Sequence, residues 1–533
     1  MGREWERVQP GQSRVPEGAV TAFLDRLEAD GLVMHGFAMS DRGKLLAEGY
    51  WAPFTGESLH RMYSVGKSFV SLAIGLLQEE GRLSLDDRIC EYFRDKCPKE
   101  GVHPWMGQMT IRNMLTMATC HRQTTYKRYK GDWVESFFRV QPDHLPGAVF
   151  CYDTSSTHVL AALAERLSGR KLMDYLRERA FDRIGVSGEA YFMEDPYGVS
   201  QGGSGLNCTL RDLLAVAQLV ADGGRYRGEQ LLPADYLKEA LRCQIVTVQQ
   251  PAYDEQLGYG YQIWQGRHGS FYFYGIGGQL AVCFPKERFV LVTMGDTLDN
   301  KNGIKDIFDA LESCIYPWIG GNREDETREP GAGVSAGGLE PGVDGAAVTR
   351  ESGADGAAVT RKSGAGVSAG GLEPGAGQAG GRLTGLGDRL RALALAPVPG
   401  KSFSGIQDRI NGREYAFGEN QLQVSRLRVS FSGEGGCLQM TKEGRELALA
   451  FGYGGYVRSA FPWELGNPPA QAECLCHGAW VMEDYLYVRC HILGENMAKL
   501  AFGIRFRDGK VTLKLQKGAD DALKSFEGVA SSM

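Results

Sequence analysis

No stretch of this 533-residue chain reaches the roughly 18 consecutive apolar residues a membrane-spanning helix needs. The first 18 residues are polar and contain no apolar segment of the secretory-signal type, so a cytoplasmic protein with no membrane partner is expected. There is no run of Lys and Arg, and the net charge is −6, which argues against a nucleic-acid surface. The 12 cysteines are scattered. Only Cys474-Leu475-Cys476-His477 resembles a metal cluster, and no second ligand pair stands at zinc spacing from it. These thiols read as reduced and buried, and no metal or cofactor is expected. What remains, with 43% hydrophobic and 23% charged residues, is the composition of an ordinary globular protein long enough for two or three domains.

Large side chains are also missing from one internal segment. Residues 321–383 are dominated by Gly, Ala, Ser, Pro and Glu, and the segment repeats itself: GAGVSAGGLEPG stands at 331–342 and 364–375, DGAAVTR at 344–350 and 355–361. Such a chain cannot bury enough surface to offset its ordering entropy, so a disordered linker is expected. It divides the sequence into a first domain at 1–320 and a second at 384–533.

The first domain mixes helix and strand. Residues 36–51 read as a hairpin about Asp41-Arg42-Gly43. Helical patterns follow at 64–80, 157–167, 172–181 and 209–221, the last opening on a Thr209…Asp212 capping box. Strand patterns return at 270–274, 279–284 and 289–294. Strands at both ends with helices between them predict one antiparallel sheet with a helical insert. Beyond the linker, a short helix near 384–394 precedes strands. Asn411-Gly412 predicts a hairpin between IQDRI and REYAF, Leu427, Val429 and Phe431 alternate, and Asp508-Gly509 turns the chain into VTLKL. This half reads as a small all-β barrel or sandwich.

The chemistry concentrates on Ser64-Val65-Gly66-Lys67. Residues three apart share a helix face, so Lys67 can reach the Ser64 hydroxyl, and the apolar helix that follows would desolvate the lysine and make it a base. The same pattern also suits a helix-capping serine beside a snorkelling lysine. Tyr152, between a short strand and a helix, is a second candidate. Beside an ammonium its pKa is expected to fall, which would let it take the serine proton, although a packed edge tyrosine reads the same way. Gly275, Gly277, Gly278 and Gln279 lie in a strand-rich stretch, where glycines mark either close ligand approach or a bulge. A backbone N–H there, with that of Ser64, is the candidate oxyanion hole. Tyr126, Tyr129, Trp133, Phe137 and Phe138 either roof a pocket or form ordinary core, and Trp264 and Tyr272 to Tyr274 are candidate wall residues.

These residues carry a resemblance. The first 320 residues resemble the serine β-lactamase and penicillin-binding-protein-like hydrolases, nearest to class C β-lactamase-like esterases and amidases. Ser64-x-x-Lys67 matches the first motif. Tyr152-x-Thr154 stands where the family has Tyr-x-Asn, and Gly275-Ile276-Gly277 where it has Lys-Thr-Gly or His-x-Gly. EEGRLSLDDRI at 79–89, MTIRNMLTMATC at 109–120 and GYGYQIW at 258–264 match in order and spacing. The resemblance implies an α+β fold, with an antiparallel sheet flanked by helices, and a Ser64 acyl-enzyme assisted by Lys67 and Tyr152. Thr154 replaces an asparagine that in relatives holds the lysine and contacts a substrate amide. Gly275 replaces a cation that binds a substrate carboxylate. β-Lactams and D-alanyl peptides are therefore expected to be poor substrates, and a small ester or amide a better one. Two other readings stand beside this: a binding module that has kept the fold without the catalysis, and a β domain that itself binds a lipid or sugar.

Overall fold

A computed structural model of the chain describes residues 5–9, 12–300, 302–320, 385–465, 470–494, 498–517 and 528–533. The expected linker at 321–383 lies outside the described residues. Helix α1 (Glu17–Ala29) leads into strands β1 (Met34–Asp41) and β2 (Lys44–Tyr50), then β3 (His60–Tyr63) and helix α2 (Gly66–Glu79). Helices α3 (Thr154–Ser168) and α4 (Leu210–Ala221) follow, before strands β4 (Trp264–Gln265), β5 (Phe271–Gly275), β6 (Gln279–Phe284) and β7 (Phe289–Gly295). The main sheet runs β2-β1-β7-β6-β5-β4, every pairing antiparallel, so the two ends of the domain meet at the centre.

Successive side chains on a strand face opposite ways, and here they divide between two cores. Phe37, Met39, Leu280, Val282 and Leu291 pack with Phe23, Leu24 and Leu27 of α1 and with Ile307 and Phe308. Ala38, Ala281, Cys283, Val290 and Val292 pack with Leu213, Leu214, Val216 and Ala217 of α4. The α4 capping box is present: Thr209 accepts from the Asp212 N–H, and Asp212 from the Thr209 N–H. Helix α2 is buried continuously from Gly66 to Leu77 and packs against α3. Strand β3, which delivers the chain to α2, pairs with Leu206–Cys208.

Among the described residues, ten C-terminal strands, from Glu414–Ala416 to Gly528–Ser531, form a second sheet joined mostly by hairpins. Its core includes Leu427, Val429, Leu438, Met440, Leu449, Leu486 and Val488. Asp508 and Gly509 turn one hairpin with positive φ. The expected IQDRI strand is corrected. Gln407–Ile410 is a helical turn that buries Gln407 and Ile410, and the Gly412 N–H bonds to the Val429 carbonyl (2.8 Å) instead of closing a two-residue hairpin.

Residues 385–533 belong to one compact unit with those before 321. Leu393, Leu395 and Leu475 are buried in the same cluster as Phe23, Phe37 and Trp51. Backbone bridges join Ala52 to Ala394 and His60 to Gly494. Lys499 donates to the Asp296 carbonyl at 3.0 Å and pairs with Asp299. Leu311–Ile315 packs on α1, and so does Leu386–Arg391, where Arg389 pairs with Glu28 (2.7 Å) and Asp25 (3.1 Å). Among the described residues no helix is long and apolar enough to cross a membrane.

Candidate active site

Ser64 sits in the turn between β3 and α2, two residues before the first helical residue. The residue before it, Tyr63, has φ +47°, an uncommon conformation for a side chain of that size. Ser64 remains partly exposed while Val65, Gly66 and Lys67 are buried. The turn thus presents the hydroxyl at the surface and carries its neighbour inward.

Lys67 is 1% exposed. Its Nζ donates to Ser64 Oγ at 2.9 Å and to the Gly203 carbonyl at 2.6 Å, and lies 5.0 Å from the centroid of the Tyr152 ring. Burial pulls the lysine down to about 7, with the charge of Asp153 opposing. At neutral pH a large fraction is therefore an unprotonated amine held against a hydroxyl. Asp153 is fully buried and is itself pushed up to about 6 by burial. It caps α3, accepting from the Ser155 and Ser156 N–H groups at 2.9 and 3.0 Å.

Tyr152 neighbours Ser64, whose hydroxyl acts on the phenol. The expected fall in its pKa is corrected: burial raises the phenol, and the influence of Ser64 offsets only part of the rise. The lysine close by is itself partly neutral, so the ammonium that would favour a tyrosinate is weakened. Tyr152 is a neutral phenol at physiological pH. Its ring stacks on Trp264 (5.6 Å between centroids), and Phe150 and Tyr259 meet the same indole edge-on.

Thr154 opens α3, and its methyl group packs so closely on Gly203 that a Cβ there would lie 2.5 Å from Thr154 Cγ2. Holding the lysine, a task the resemblance gives to an asparagine at 154, falls here to the Gly203 carbonyl. The 202–205 loop opens the block GGSGLNCTLRDLLAVAQLVADGG at 202–224, which also matches the family. Its glycines mark a tight backbone approach, but no residue type in it announces the role of the Gly203 carbonyl.

Gly275 ends β5 against β3. A Cβ on it would stand 2.1 Å from the Met62 carbonyl oxygen, so no larger residue fits at that backbone position. Gly277 and Gly278 turn with positive φ; their carbonyls accept from the Thr297 N–H (3.2 Å) and Thr293 Oγ1 (2.8 Å). Gln279 is fully buried and faces this turn rather than the serine. Its amide donates to the Ile276 and Gly295 carbonyls and accepts from the Gly295 N–H. Ser64, Lys67, Tyr152, Thr154 and Gly275 thus converge, and Gly277, Gly278 and Gln279 shape the adjoining turn.

Of the aromatic candidates, Phe137 and Phe138 belong to the core, and Tyr126 stacks on Trp133 (4.2 Å) with both rings partly exposed. Cys474, Cys476 and Cys490 are buried free thiols, with sulfurs 3.5 and 3.2 Å apart. Among the described residues no group of three or more His, Cys, Asp or Glu is arranged to hold a metal ion.

The chain is 24% identical over 250 residues to the 6-aminohexanoate-dimer hydrolase of Paenarthrobacter ureafaciens, covering 44% of this chain and 60% of that one. It thus spans less than two thirds of that relative's length. Among solved structures, a D-stereospecific amidohydrolase from Streptomyces sp. superposes with a TM-score of 0.44 at 18% identity, over 56% of this chain and 99% of that one. An octameric penicillin-binding protein homologue from Pyrococcus abyssi gives 0.45 at 14% identity, over 96% and 99%. The Beta-lactamase family profile matches residues 19–312, a span that contains β1 to β7 and every residue of the serine–lysine–tyrosine cluster. By that match the chain belongs to the β-lactamase family.

Proposed function

We propose that this chain is a serine hydrolase acting on a small ester or amide through an acyl-enzyme at Ser64. The observation that carries this reading is the 2.9 Å contact between a buried, partly neutral Lys67 and the Ser64 hydroxyl. In the proposed sequence, neutral Lys67 takes the Ser64 proton as Oγ adds to the substrate carbonyl. The negative oxygen is held by the Ser64 N–H and a backbone N–H from the Gly275–Gln279 turn. Tyr152, a neutral phenol, protonates the departing alkoxide or amine and recovers its proton from the Lys67 ammonium. Water then adds to the ester at Ser64 with the roles reversed, releasing the acid.

The substrate is a small molecule without an obligatory carboxylate beside the scissile bond, because Gly275 has no space for the cation relatives place there. The curated relative's name, a dimer hydrolase of 6-aminohexanoate, is consistent with amide cleavage. We read the C-terminal sheet as a barrel rather than a sandwich, because a Phe417–Ser532 bridge links its two outermost strands.

The test is covalent. Incubation with a fluorophosphonate should add one adduct by intact mass, mapped to the peptide containing Ser64 and absent in Ser64→Ala. An adduct that persists in that variant, or none in the wild type, overturns the reading.

A further inference from the structure

The turn that supplies an oxyanion donor in the proposed mechanism is built on two glycines and held from outside. Gly277 and Gly278 have φ of +86° and +87°, and neither has a side chain to pack. The Gly277 carbonyl accepts from the Thr297 N–H at 3.2 Å. A Cβ on Gly278 would lie 3.1 Å from Thr297 Cγ2, so the same residue closes the outer side of the turn. That support is gripped in its turn by the C-terminal sheet. Lys499 stands on the strand Ala498–Arg507, and its Nζ donates to the Asp296 carbonyl at 3.0 Å. The ammonium pairs with the Asp299 carboxylate at 3.0 Å and lies 3.9 Å from that of Asp296, and its side chain is only 12% exposed. An enclosed cation is costly unless its partners are fixed around it. The two carboxylates therefore hold the ammonium where it meets the carbonyl.

Two peptide groups connect this lysine to the site. The Asp296 carbonyl and the Thr297 N–H are the two ends of one planar unit. The Gly277 carbonyl and the Gly278 N–H are the two ends of another. Lys499 donates to the first carbonyl, the N–H of that unit donates to the second carbonyl, and the chain ends on the Gly278 N–H. Because each unit is planar, fixing one end orients the other. A cation on the first carbonyl also polarises its peptide, which makes the Thr297 N–H a stronger donor and passes the effect to the next unit. Both consequences fall on the N–H that faces a developing negative charge in the proposed reaction.

We propose that Lys499 is a positioning residue for hydrolysis: through the Asp296–Thr297 peptide it aligns and polarises the Gly278 N–H as the oxyanion donor of the turn. The inference rests on the proposed acyl-enzyme reading. It gives the C-terminal sheet a part in the chemistry that is exercised through the backbone rather than on the substrate.

The experiment compares three variants of the full chain. Lys499→Met removes the cation and keeps the reach of the side chain, and Lys499→Arg keeps the charge. Arg389→Met breaks a different link to the C-terminal residues, the pairs with Asp25 and Glu28 on α1. Hydrolysis of p-nitrophenyl acetate, inhibition by phenylboronic acid and thermal melting are measured for each. A boronic acid adds to a serine oxygen as a tetrahedral anion, so its affinity reads the oxyanion site. Lys499→Met should lower kcat about fivefold or more with KM within about twofold, short of the roughly 10²–10³-fold loss of a donor itself. Boronate affinity should fall by a similar factor, and Lys499→Arg should recover part of both. Arg389→Met should leave kcat and boronate affinity unchanged, whatever it does to the melting temperature. Wild-type kcat and boronate affinity in Lys499→Met, or equal losses in Arg389→Met, reduce Lys499 to a structural contact and overturn the role while leaving the acyl-enzyme intact. If Lys499→Met does not melt cooperatively, Lys499→Gln takes its place under the same criteria. A wild-type chain that neither hydrolyses the ester nor is labelled at Ser64 overturns the acyl-enzyme reading, and this role with it.

Discussion

Gly275 and Met62 stand so close that a methyl group on the glycine would lie 2.1 Å from the Met62 carbonyl oxygen. Met62 is two residues before Ser64, so any side chain at 275 pushes on the strand that positions the nucleophile. Gly275→Ala should destabilise the fold by about 1–3 kcal/mol, the usual cost of overpacking, and lower kcat. Gly275→Lys should gain no β-lactamase activity, since the lysine displaces the strand before it can offer its charge. Thermal melting and nitrocefin hydrolysis check both, and a folded Gly275→Lys that turns over nitrocefin refutes the argument.

In the proposed mechanism Lys67 is the base, and it can serve only when neutral. Its folded pKa is lowered to about 7, so kcat/KM should rise with pH through about 7 and level off above it. A pH–rate profile on a neutral ester measures this. An ascending limb near the ordinary lysine value of 10.5 would show that the buried amine is not the base.

In the proposed mechanism Lys67 and Tyr152 pass one proton between them. Lys67→Ala and Tyr152→Phe should each lower kcat on the order of 10²–10⁴-fold, and the double variant little further. Losses that simply multiply would separate the two residues into independent roles.

A third set of groups governs stability rather than rate. His35 Nδ1 and His60 Nε2 are 2.7 Å apart, the His491 ring stands edge-on to His35, and Lys499 is close by. Burial holds all three histidines low, His60 at about 4 and His491 at about 3. They are neutral when folded and titrate near 6.5 when unfolded. Their stabilisation is complete above pH 6.5 and disappears as the pH falls toward 4, a loss on the order of a few kcal/mol. The melting temperature should fall from pH 6.5 downward, and less steeply in His491→Gln. A flat profile between pH 6.5 and 5 contradicts this.

Residues 385–533 seal part of the N-terminal core through Leu393, Leu395 and Leu475. A chain ending at Gly320 should therefore melt lower and bind a dye for exposed apolar surface more strongly than the full chain, or aggregate. A truncated protein with the full-length melting temperature would show that these contacts contribute little.

The parts legible in the sequence are those fixed locally. The Thr209–Asp212 cap, the strands at 271–295 and the Ser64–Lys67 spacing each depend on residues a few positions apart, where period and capping chemistry act. IQDRI is ambiguous because Ile406 and Ile410 suit a helical turn as well as a strand, and only the distant Val429 carbonyl decides where Gly412 bonds. The direction of the Tyr152 shift depends on burial by Trp264, Tyr259 and Phe150, two of which are more than 100 residues away. The Gly203 carbonyl that holds Lys67 is a backbone atom, and no residue type announces it.

The chain leaves helix α1 beyond Leu311–Ile315 and returns to the same helix at Leu386–Arg391. The two segments that flank residues 321–384 are therefore anchored on one and the same helix. The duplicated GAGVSAGGLEPG and DGAAVTR blocks sit in this interval. Ser64 and Lys67, the strands of the main sheet and both segments on α1 all stand outside the interval that holds these repeats.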